Sequence, residues 1–534
     1  MPFATARTVS LHGALGHLID VQADVSPGQV LTTVVGRADA SLHEARDRCR
    51  MAIINSELVW PSTKRITILL SPADLIKRGS HFDLAIAVAV LAADGRLPRA
   101  ALESTGFIGE LTLDGGLRSV PGVLPMVLAA AERGITRVFV PEPLAREASM
   151  VPGMTVFGMR SLAQVVAELR GEEVPEAAPV APMSGSRLLS WRGAERLEEV
   201  DLADLRGLAD AKYAVEVAAA GGHHVLLSGP KGSGKTSIAE RVPTILPPLT
   251  SEEALELTAI HSLAGTLEPG DGLLTEPPYA APHHDASKAS LIGGGTGYVR
   301  PGEISRAHCG VLFLDEFPLF RSDVLEALRQ PLESGDVTIA RQEELVTLPA
   351  RGMLVLAANP CPCGEYRAMA GDNRCTCSEK VRRDYRNKVT GPLSDRIDIV
   401  RHVEPLLPHE SADRFATLER SDQVKARVAA ARARQAARFA DRSWRLNAHA
   451  PGPLLREHWP LAPAGQRLVD DRLFAGRLSS RGAVRVHRLA WTVADLTAVR
   501  TGREVSPGAD EVQLALSLRT GEPLPAGFAR VCAS

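Results

Sequence analysis

Along the first 170 positions, apolar residues fall into short runs of period two and longer runs of period three to four. Gln29–Val35, Ile66–Leu70, Phe107–Leu113 and Arg137–Val140 read as strands, while Ser41–Ser56, Asp83–Ala93 and Leu124–Arg133 read as helices. Residues 1–170 are therefore expected to form a compact α/β or α+β domain. The pattern breaks at 172–186, a stretch of Pro, Ala and acidic residues without sustained periodicity, and 171–190 is predicted to be an exposed linker. Over 191–405, β-like runs at 224–228, 311–314 and 353–357 alternate with helical stretches, as in a doubly wound core. From 406 to 534 the pattern is predominantly helical, with Arg and Ala dominating 424–445 and a second helix expected at 480–499. The chain reads as an α/β multidomain protein.

Composition narrows this little. A chain of 534 residues is too long for one core, and its 45% hydrophobic and 23% charged residues mark neither disorder nor a membrane protein. A net charge of −2 leaves no global footprint for nucleic acid, so any contact with DNA must come from a local basic surface. No run approaches the roughly 20 apolar residues that span a bilayer, and the first twenty residues lack the order of a signal peptide. A cytoplasmic protein without membrane contact is expected.

The chemistry concentrates in the middle third. Gly229-Pro230-Lys231-Gly232-Ser233-Gly234-Lys235-Thr236 follows the apolar run Val225-Leu226-Leu227 and precedes a helical pattern. A strand, a glycine-rich loop and a helix start in that order form a phosphate loop. Its glycines let backbone N–H groups wrap phosphates, Lys235 reaches the β- and γ-phosphates, and the Thr236 hydroxyl can hold Mg²⁺. ATP and Mg²⁺ are thus the expected cofactors. Eighty residues beyond Lys235, the buried run Val311–Leu314 delivers Asp315 and Glu316. Asp315 is placed to sit beside Mg²⁺ and Glu316 to polarise an attacking water. The next apolar run, starting at Met353, ends in Asn359, which either caps a turn or orients that water; its place after the first two strands favours the second role.

Seven cysteines include four between 361 and 377, as two Cys-x-Cys pairs separated by eleven residues. Cys361, Cys363, Cys375 and Cys377 can supply four thiolates to tetrahedral Zn²⁺, a structural site with no open ligand position. Four reduced thiols in an ordered loop are the alternative. Cys49, Cys309 and Cys532 read as ordinary buried or terminal cysteines.

Several longer stretches carry a resemblance. Ala281-Pro-His-His-Asp-Ala-Ser287, Leu291-Ile-Gly-Gly-Gly295, Arg300-Pro-Gly-Glu-Ile-Ser305, Asp323 to Gly335, and Asn359-Pro-Cys-Pro-Cys-Gly364 resemble the Mg-chelatase-like YifB/ComM family of AAA+ ATPases. The likeness extends over nearly the whole chain. It implies an AAA+ P-loop core, a C-terminal helical lid and a hexameric ring with ATP between subunits. By the same resemblance, Arg396 in Gly391-Pro-Leu-Ser-Asp-Arg396-Ile-Asp398 is the arginine that completes a neighbour's site; the alternative is a salt bridge to Asp395 or Asp398 within the subunit. Leu478-Ser-Ser-Arg481-Gly482 resembles the second sensor region, and by that resemblance Arg481 is the expected sensor, ahead of its competitors Arg485 and Arg488; a solvated helical face is the alternative for at least two of the three.

Lys77 to Val90 and Gly109 to Gly122 resemble the proteolytic domain of Lon. His81 stands where that domain has its nucleophilic serine, with Ser80 one place away, and Leu124 and Met126 occupy the region of its lysines. A serine without a base is not activated. The N-terminal Lon-protease-like domain is therefore expected to be noncatalytic, a scaffold for ring assembly or DNA guidance.

The resemblance implies a homo-oligomer acting on branched or single-stranded DNA, with helicase or branch-migration activity in recombination. A Mg-chelatase-type subunit that remodels a partner protein and an ATP-switched scaffold are the alternatives. Two candidate DNA surfaces stand out. One is the hairpin expected over Val337–Leu348, whose tip mixes Arg341 with Glu343 and Glu344. The other is the Arg-rich helix with Lys425, Arg427, Arg432, Arg434, Arg438 and Arg442, which can equally be a solvated lid face. His261, His283, His284 and Lys288 lie in a long Gly- and Pro-rich stretch; paired histidines can bind metal, but without a carboxylate or thiol set at ligand spacing hydrogen-bonding or capping roles are expected for them.

Overall fold

The computed structural model describes residues 3–13, 15–36, 40–181, 200–268, 270–295, 299–341, 344–366, 374–389, 391, 393–405 and 418–525. Cys532, Glu343 and residues 182–190 of the expected linker lie outside them.

The N-terminal sheet is built on two long antiparallel strands, Phe3–His12 and Leu15–Ser26, paired from Phe3 opposite Asp24 to His12 opposite Leu15. Ile19, Val21, Ala23 and Val25 are buried and alternate with Asp20, Gln22 and Asp24, the period-two pattern of a sheet with one covered face. Seven strands run in the spatial order 32–35, 65–71, 15–26, 3–12, 105–107, 137–141 and 155–159. Three of the four expected strands are present with shifted ends; the fourth, Phe107–Leu113, divides into Thr105–Phe107 and Glu110–Leu111. All eleven residues of the Asp83–Ala93 helix are buried: after Asp83, whose carboxylate accepts from Arg48 at 2.8 Å, its surface is apolar all round and covered on every side.

Residues 172–181 carry no regular element, yet they are not a free tether. Gln164 donates to the Pro175 carbonyl at 2.8 Å, Arg160 to the Ala177 carbonyl at 3.2 Å, and Val180 is buried in the core. The N-terminal domain packs through the helix Val123–Glu132 on the helix Ser251–Ala264 of the central domain. There the Gly122 N–H donates to the Ser262 carbonyl at 3.1 Å, and the Ser262 hydroxyl to Glu147 at 2.6 Å.

The central sheet is parallel, in the order Tyr279–Ala280, Val311–Leu314, Met353–Ala358, Val225–Ser228 and Ile399–His402. Met353–Ala358 is buried along its whole length, as a strand covered on both faces must be. The phosphate loop, Asp315 and Asn359 succeed the C-terminal ends of three adjacent strands, so one sheet edge collects all three. The expected hairpin forms as Asp336–Arg341 against Glu344–Pro349. The helices Ser421–Arg438, Pro463–Phe474, Ser480–Thr501 and Ala509–Thr520 form the C-terminal layer. Among the described residues, no helix is long and apolar enough to cross a membrane.

The Arg-rich helix spends its charge inside the molecule. Arg427 donates to Glu216 at 2.7 Å, Arg432 to the Ala219 carbonyl at 2.9 Å, and Arg434 to Glu504 at 2.9 Å. Arg438 bonds Asp495 and lies over Trp491, and Lys425 approaches Glu276 at 3.8 Å. These contacts bolt the helix to its neighbours and leave it far less cationic than its sequence suggests.

Candidate active site

The phosphate loop owes its shape to glycine at two places. A Cβ on Gly229 would fall 2.1 Å from the Val403 carbonyl oxygen, and Gly234 adopts φ 92°, which other residues rarely reach. The loop curls around Lys235, whose Nζ donates to the carbonyls of Gly229 and Pro230 at 2.8 Å each and contacts the Ser233 hydroxyl at 3.3 Å. Burial lowers the Lys235 pKa, and the carboxylates of Asp315 and Glu316 oppose that shift.

The acidic pair meets the loop. Thr236 donates its hydroxyl to Asp315 Oδ2 at 3.0 Å, and Asp315 Oδ1 accepts from the Glu316 N–H at 2.9 Å. Asn359 Nδ2 in turn donates to Glu316 Oε1 at 2.8 Å. Glu316 sits at φ 46° and ψ 40°, a left-handed conformation costly for a side chain with a Cβ. Strain of that kind persists where surrounding bonds fix it, and here it aims the carboxylate at Asn359 rather than along the strand. The chain Thr236, Asp315, Glu316, Asn359 thus brings together four residues that lie 123 positions apart at its extremes.

These residues fit ATP with Mg²⁺. A hydroxyl and a carboxylate oxygen sharing one hydrogen bond are the oxygen donors that Mg²⁺ prefers, beside a lysine at the end of a glycine loop.

Tyr385 is a site residue that sequence reasoning missed. It is buried on the helix Glu379–Val389, and burial pushes its phenol pKa well up, with the nearby Asn359 backbone opposing that shift. Glu316 also lies near enough to raise it. Nothing in the sequence ties a tyrosine to an asparagine 26 positions earlier, across the cysteine segment.

The four cysteines converge. Cys361 Sγ lies 3.3 Å from Cys363 Sγ and 3.6 Å from Cys375 Sγ, Cys363 and Cys375 are 3.6 Å apart, and all four ligand atoms fall within 4.8 Å of one another. Hydrogen bonding from the Glu365 backbone, with the neighbouring Cys361, lowers the Cys363 pKa, while burial and the Cys363 contact raise that of Cys361. Cys49 is fully buried and donates to the Asp83 carbonyl at 3.3 Å, whereas Cys309 is partly buried.

Arg396 is largely buried and pairs with neither Asp395 nor Asp398. Its guanidinium meets Glu333, of the helix Arg329–Ser334, at 2.5 Å. Of the three arginines near the start of the helix Ser480–Thr501, Arg485 pairs with Asp398 and Arg488 donates to the Ala450 carbonyl at 2.9 Å, whereas Arg481 is exposed beside the helix start at Ser480. The histidines divide: His261 bonds Thr266 at 3.0 Å and the Arg306 carbonyl at 3.1 Å, as expected. His283, His284 and Asp285 instead bring their ligand atoms within 4.8 Å of one another, so a carboxylate does join the paired histidines. In the N-terminal domain the Ser80 hydroxyl bonds Glu110, His81 is buried against the Val9 carbonyl at 2.9 Å, and Leu124 and Met126 are core residues.

Three family descriptions match successive parts of the chain: subunit ChlI of Mg-chelatase over residues 21–143, magnesium chelatase subunit ChlI over 201–411, and its C-terminal region over 418–519. An uncharacterized protein of Mycobacterium tuberculosis (strain ATCC 25618 / H37Rv) is 45% identical across 97% of this chain and 99% of its own. The uncharacterized protein YifB of Escherichia coli (strain K12) is 38% identical across 93% of this chain and 94% of its own. The competence protein ComM of Haemophilus influenzae (strain ATCC 51907 / DSM 11121 / KW20 / Rd) shows the same identity over the same shares. With its phosphate loop, acidic pair and polar strand end gathered on one sheet edge, the chain belongs to the YifB/ComM family of Mg-chelatase-like AAA+ ATPases.

Proposed function

We propose that the protein is the subunit of a homohexameric, cytoplasmic ring ATPase that moves branched or single-stranded DNA during recombination. The observation that carries the ATPase is the hydrogen-bonded chain from Thr236 through Asp315 and Glu316 to Asn359, closed around Lys235. ATP supplies the energy of phosphoryl transfer, with Mg²⁺ held by Thr236 and Asp315. Glu316 takes the position of the residue that polarises water, and the Asn359 amide orients the Glu316 carboxylate. Arg396 is the arginine offered to a neighbouring subunit, which requires it to exchange its partner Glu333 for phosphate oxygens. Arg481 is the lid's second sensor, because its two competitors are engaged elsewhere. A structural Zn²⁺ on Cys361, Cys363, Cys375 and Cys377 completes the cofactors, and the N-terminal domain serves as a noncatalytic, Lon-like scaffold.

The DNA part of this reading is supported by the likeness to a competence protein across 93% of the chain. An ATP-dependent branch-migration assay on three- and four-strand substrates tests it. Wild type should move strands, while Lys235→Ala and Arg396→Ala, both folded, should not. An ATPase that neither binds nor moves DNA would sink the DNA motor. A chelatase-type remodelling subunit is the second reading, favoured by the ChlI descriptions that match the N-terminal as well as the central and C-terminal parts. Co-purification with a large porphyrin-binding partner would select it.

A further inference from the structure

The cysteine cluster does not stand apart from the nucleotide site. Cys361 comes two positions after Asn359, so the cluster begins where the strand delivers its amide. Gly364 lies against the phosphate loop: a Cβ there would fall 2.6 Å from Lys231 Cγ and 2.8 Å from its Cδ and Cε. On the far side, the helix Glu379–Val389 starts two positions after Cys377 and returns to the same place. Its buried Tyr385 lies beside the Asn359 backbone, and its Lys388 donates to the Pro318 carbonyl at 3.0 Å, in the turn just after Glu316. Both ends of the cysteine segment therefore terminate on residues that hold Glu316 and Asn359.

The sulfur geometry suits one ion. Four thiolates at about 2.3 Å from a tetrahedral Zn²⁺ stand about 3.8 Å apart, close to the separations of 3.3 to 3.6 Å found here and far from the roughly 2.05 Å of a disulfide. The protein supplies every other part of the link: the sulfurs, the Asn359 strand end, the Tyr385 helix and the Lys231 side chain.

We infer that Zn²⁺ bound by the four cysteines is a positioning element of the ATP site: it closes the segment that holds Asn359 and Tyr385 in place, and its occupancy sets the rate of ATP hydrolysis. The inference rests on the proposed ATPase function and adds to it a metal requirement at some distance from the Mg²⁺ ligands. Without the ion, the segment loses its cross-link, and the helix Glu379–Val389 no longer braces the turn after Glu316 and the strand end at Asn359 beside it. Misplacement of an amide by about an ångström is enough to cost about 10- to 100-fold in rate.

The test measures zinc content and DNA-independent ATP turnover on the full chain. Wild type should hold about one zinc per chain and, refilled with Co²⁺, should show the visible absorption of a tetrahedral thiolate site. Cys377→Ser should lose the metal, with kcat reduced about 10-fold or more and the ATP KM changed much less. Because removing a ligand also threatens folding, Lys388→Met provides an independent arm: it releases the Pro318 carbonyl, so it should retain zinc yet also lower kcat. Chelator-treated wild type should recover turnover on adding Zn²⁺. Zinc-free protein or Lys388→Met turning over at the full rate would overturn the coupling. Protein without zinc whose cysteines are paired as disulfides would overturn the metal site itself. A zinc-loaded wild type that hydrolyses no ATP would overturn the ATPase reading, and the coupling with it, while leaving the metal site standing.

Discussion

Arg485 of the C-terminal helix Ser480–Thr501 forms a buried ion pair with Asp398, two residues beyond Arg396. Burial alone would raise the Asp398 pKa, but Arg485, with His223 and His224, holds it well below the usual carboxylate range. The same segment is gripped twice more: Arg519 donates to the Ile397 carbonyl at 2.5 Å, and Arg401 to the carbonyls of Ser517 and Glu522 at 3.2 and 2.8 Å. The strand just beyond Arg396 is thereby fastened to the C-terminal helical layer. Removing one partner leaves a buried charge uncompensated, so Arg485→Ala should lose about 3 kcal/mol of stability. The double variant Arg485→Ala/Asp398→Ala should lose less than the sum of the single ones, as measured by chemical denaturation.

Binding and hydrolysis should separate at the site. Glu316→Gln keeps the loop and both Mg²⁺ donors, so it should bind a fluorescent ATP analogue normally while phosphate release falls about 100-fold or more. Lys235→Ala removes the cation that faces the phosphates, and its binding should weaken along with its turnover.

If Arg396 acts on a neighbour's ATP, two inactive variants should repair each other. Arg396→Ala has an intact phosphate loop, and Lys235→Ala has an intact arginine. Mixed rings should regain steady-state ATPase activity that neither variant shows alone, and an additive, inactive mixture would place Arg396 in a role within its own subunit.

His224 predicts a pH dependence of stability. Its Nδ1 accepts from the Leu354 N–H at 3.1 Å, which requires a lone pair there, and burial lowers its pKa from 6.5 to about 4 against the pull of Asp398. Between those values the unfolded chain binds the proton and the folded chain does not, so stability falls as the pH drops. The loss from this residue should reach about 2 kcal/mol at about pH 5. Thermal melts of wild type and His224→Asn, whose amide oxygen can accept the same bond without titrating, should converge as the pH is lowered from about 7.5 to about 5.

Much of the central domain was legible from local pattern, because its parts are contiguous. The apolar runs ending at Ser228, Leu314 and Ala358 are buried parallel strands, and each leads directly into a site residue whose type states its chemistry. The Cys-x-Cys pairs were legible for the same reason, since ligand spacing is local. The strands 3–12 and 15–26 went unread although they alternate regularly, because Ala4, Ala6 and Ala23 are weak apolar signals between polar residues.

Partnership between distant groups emerges only on folding. The order of residues is enough to establish that ATP chemistry is available here: a phosphate loop, an acidic pair and a polar strand end specify their own roles through backbone and side-chain type. That order could not reveal that the cationic helix would spend its arginines on Glu216, Glu504 and Asp495, or that Arg396 would meet Glu333. Nor could it place Tyr385 beside Asn359, or Gly364 on Lys231. Charge and aromaticity are properties of single residues, whereas burial and pairing depend on which surfaces the parallel sheet and the C-terminal helices bring face to face.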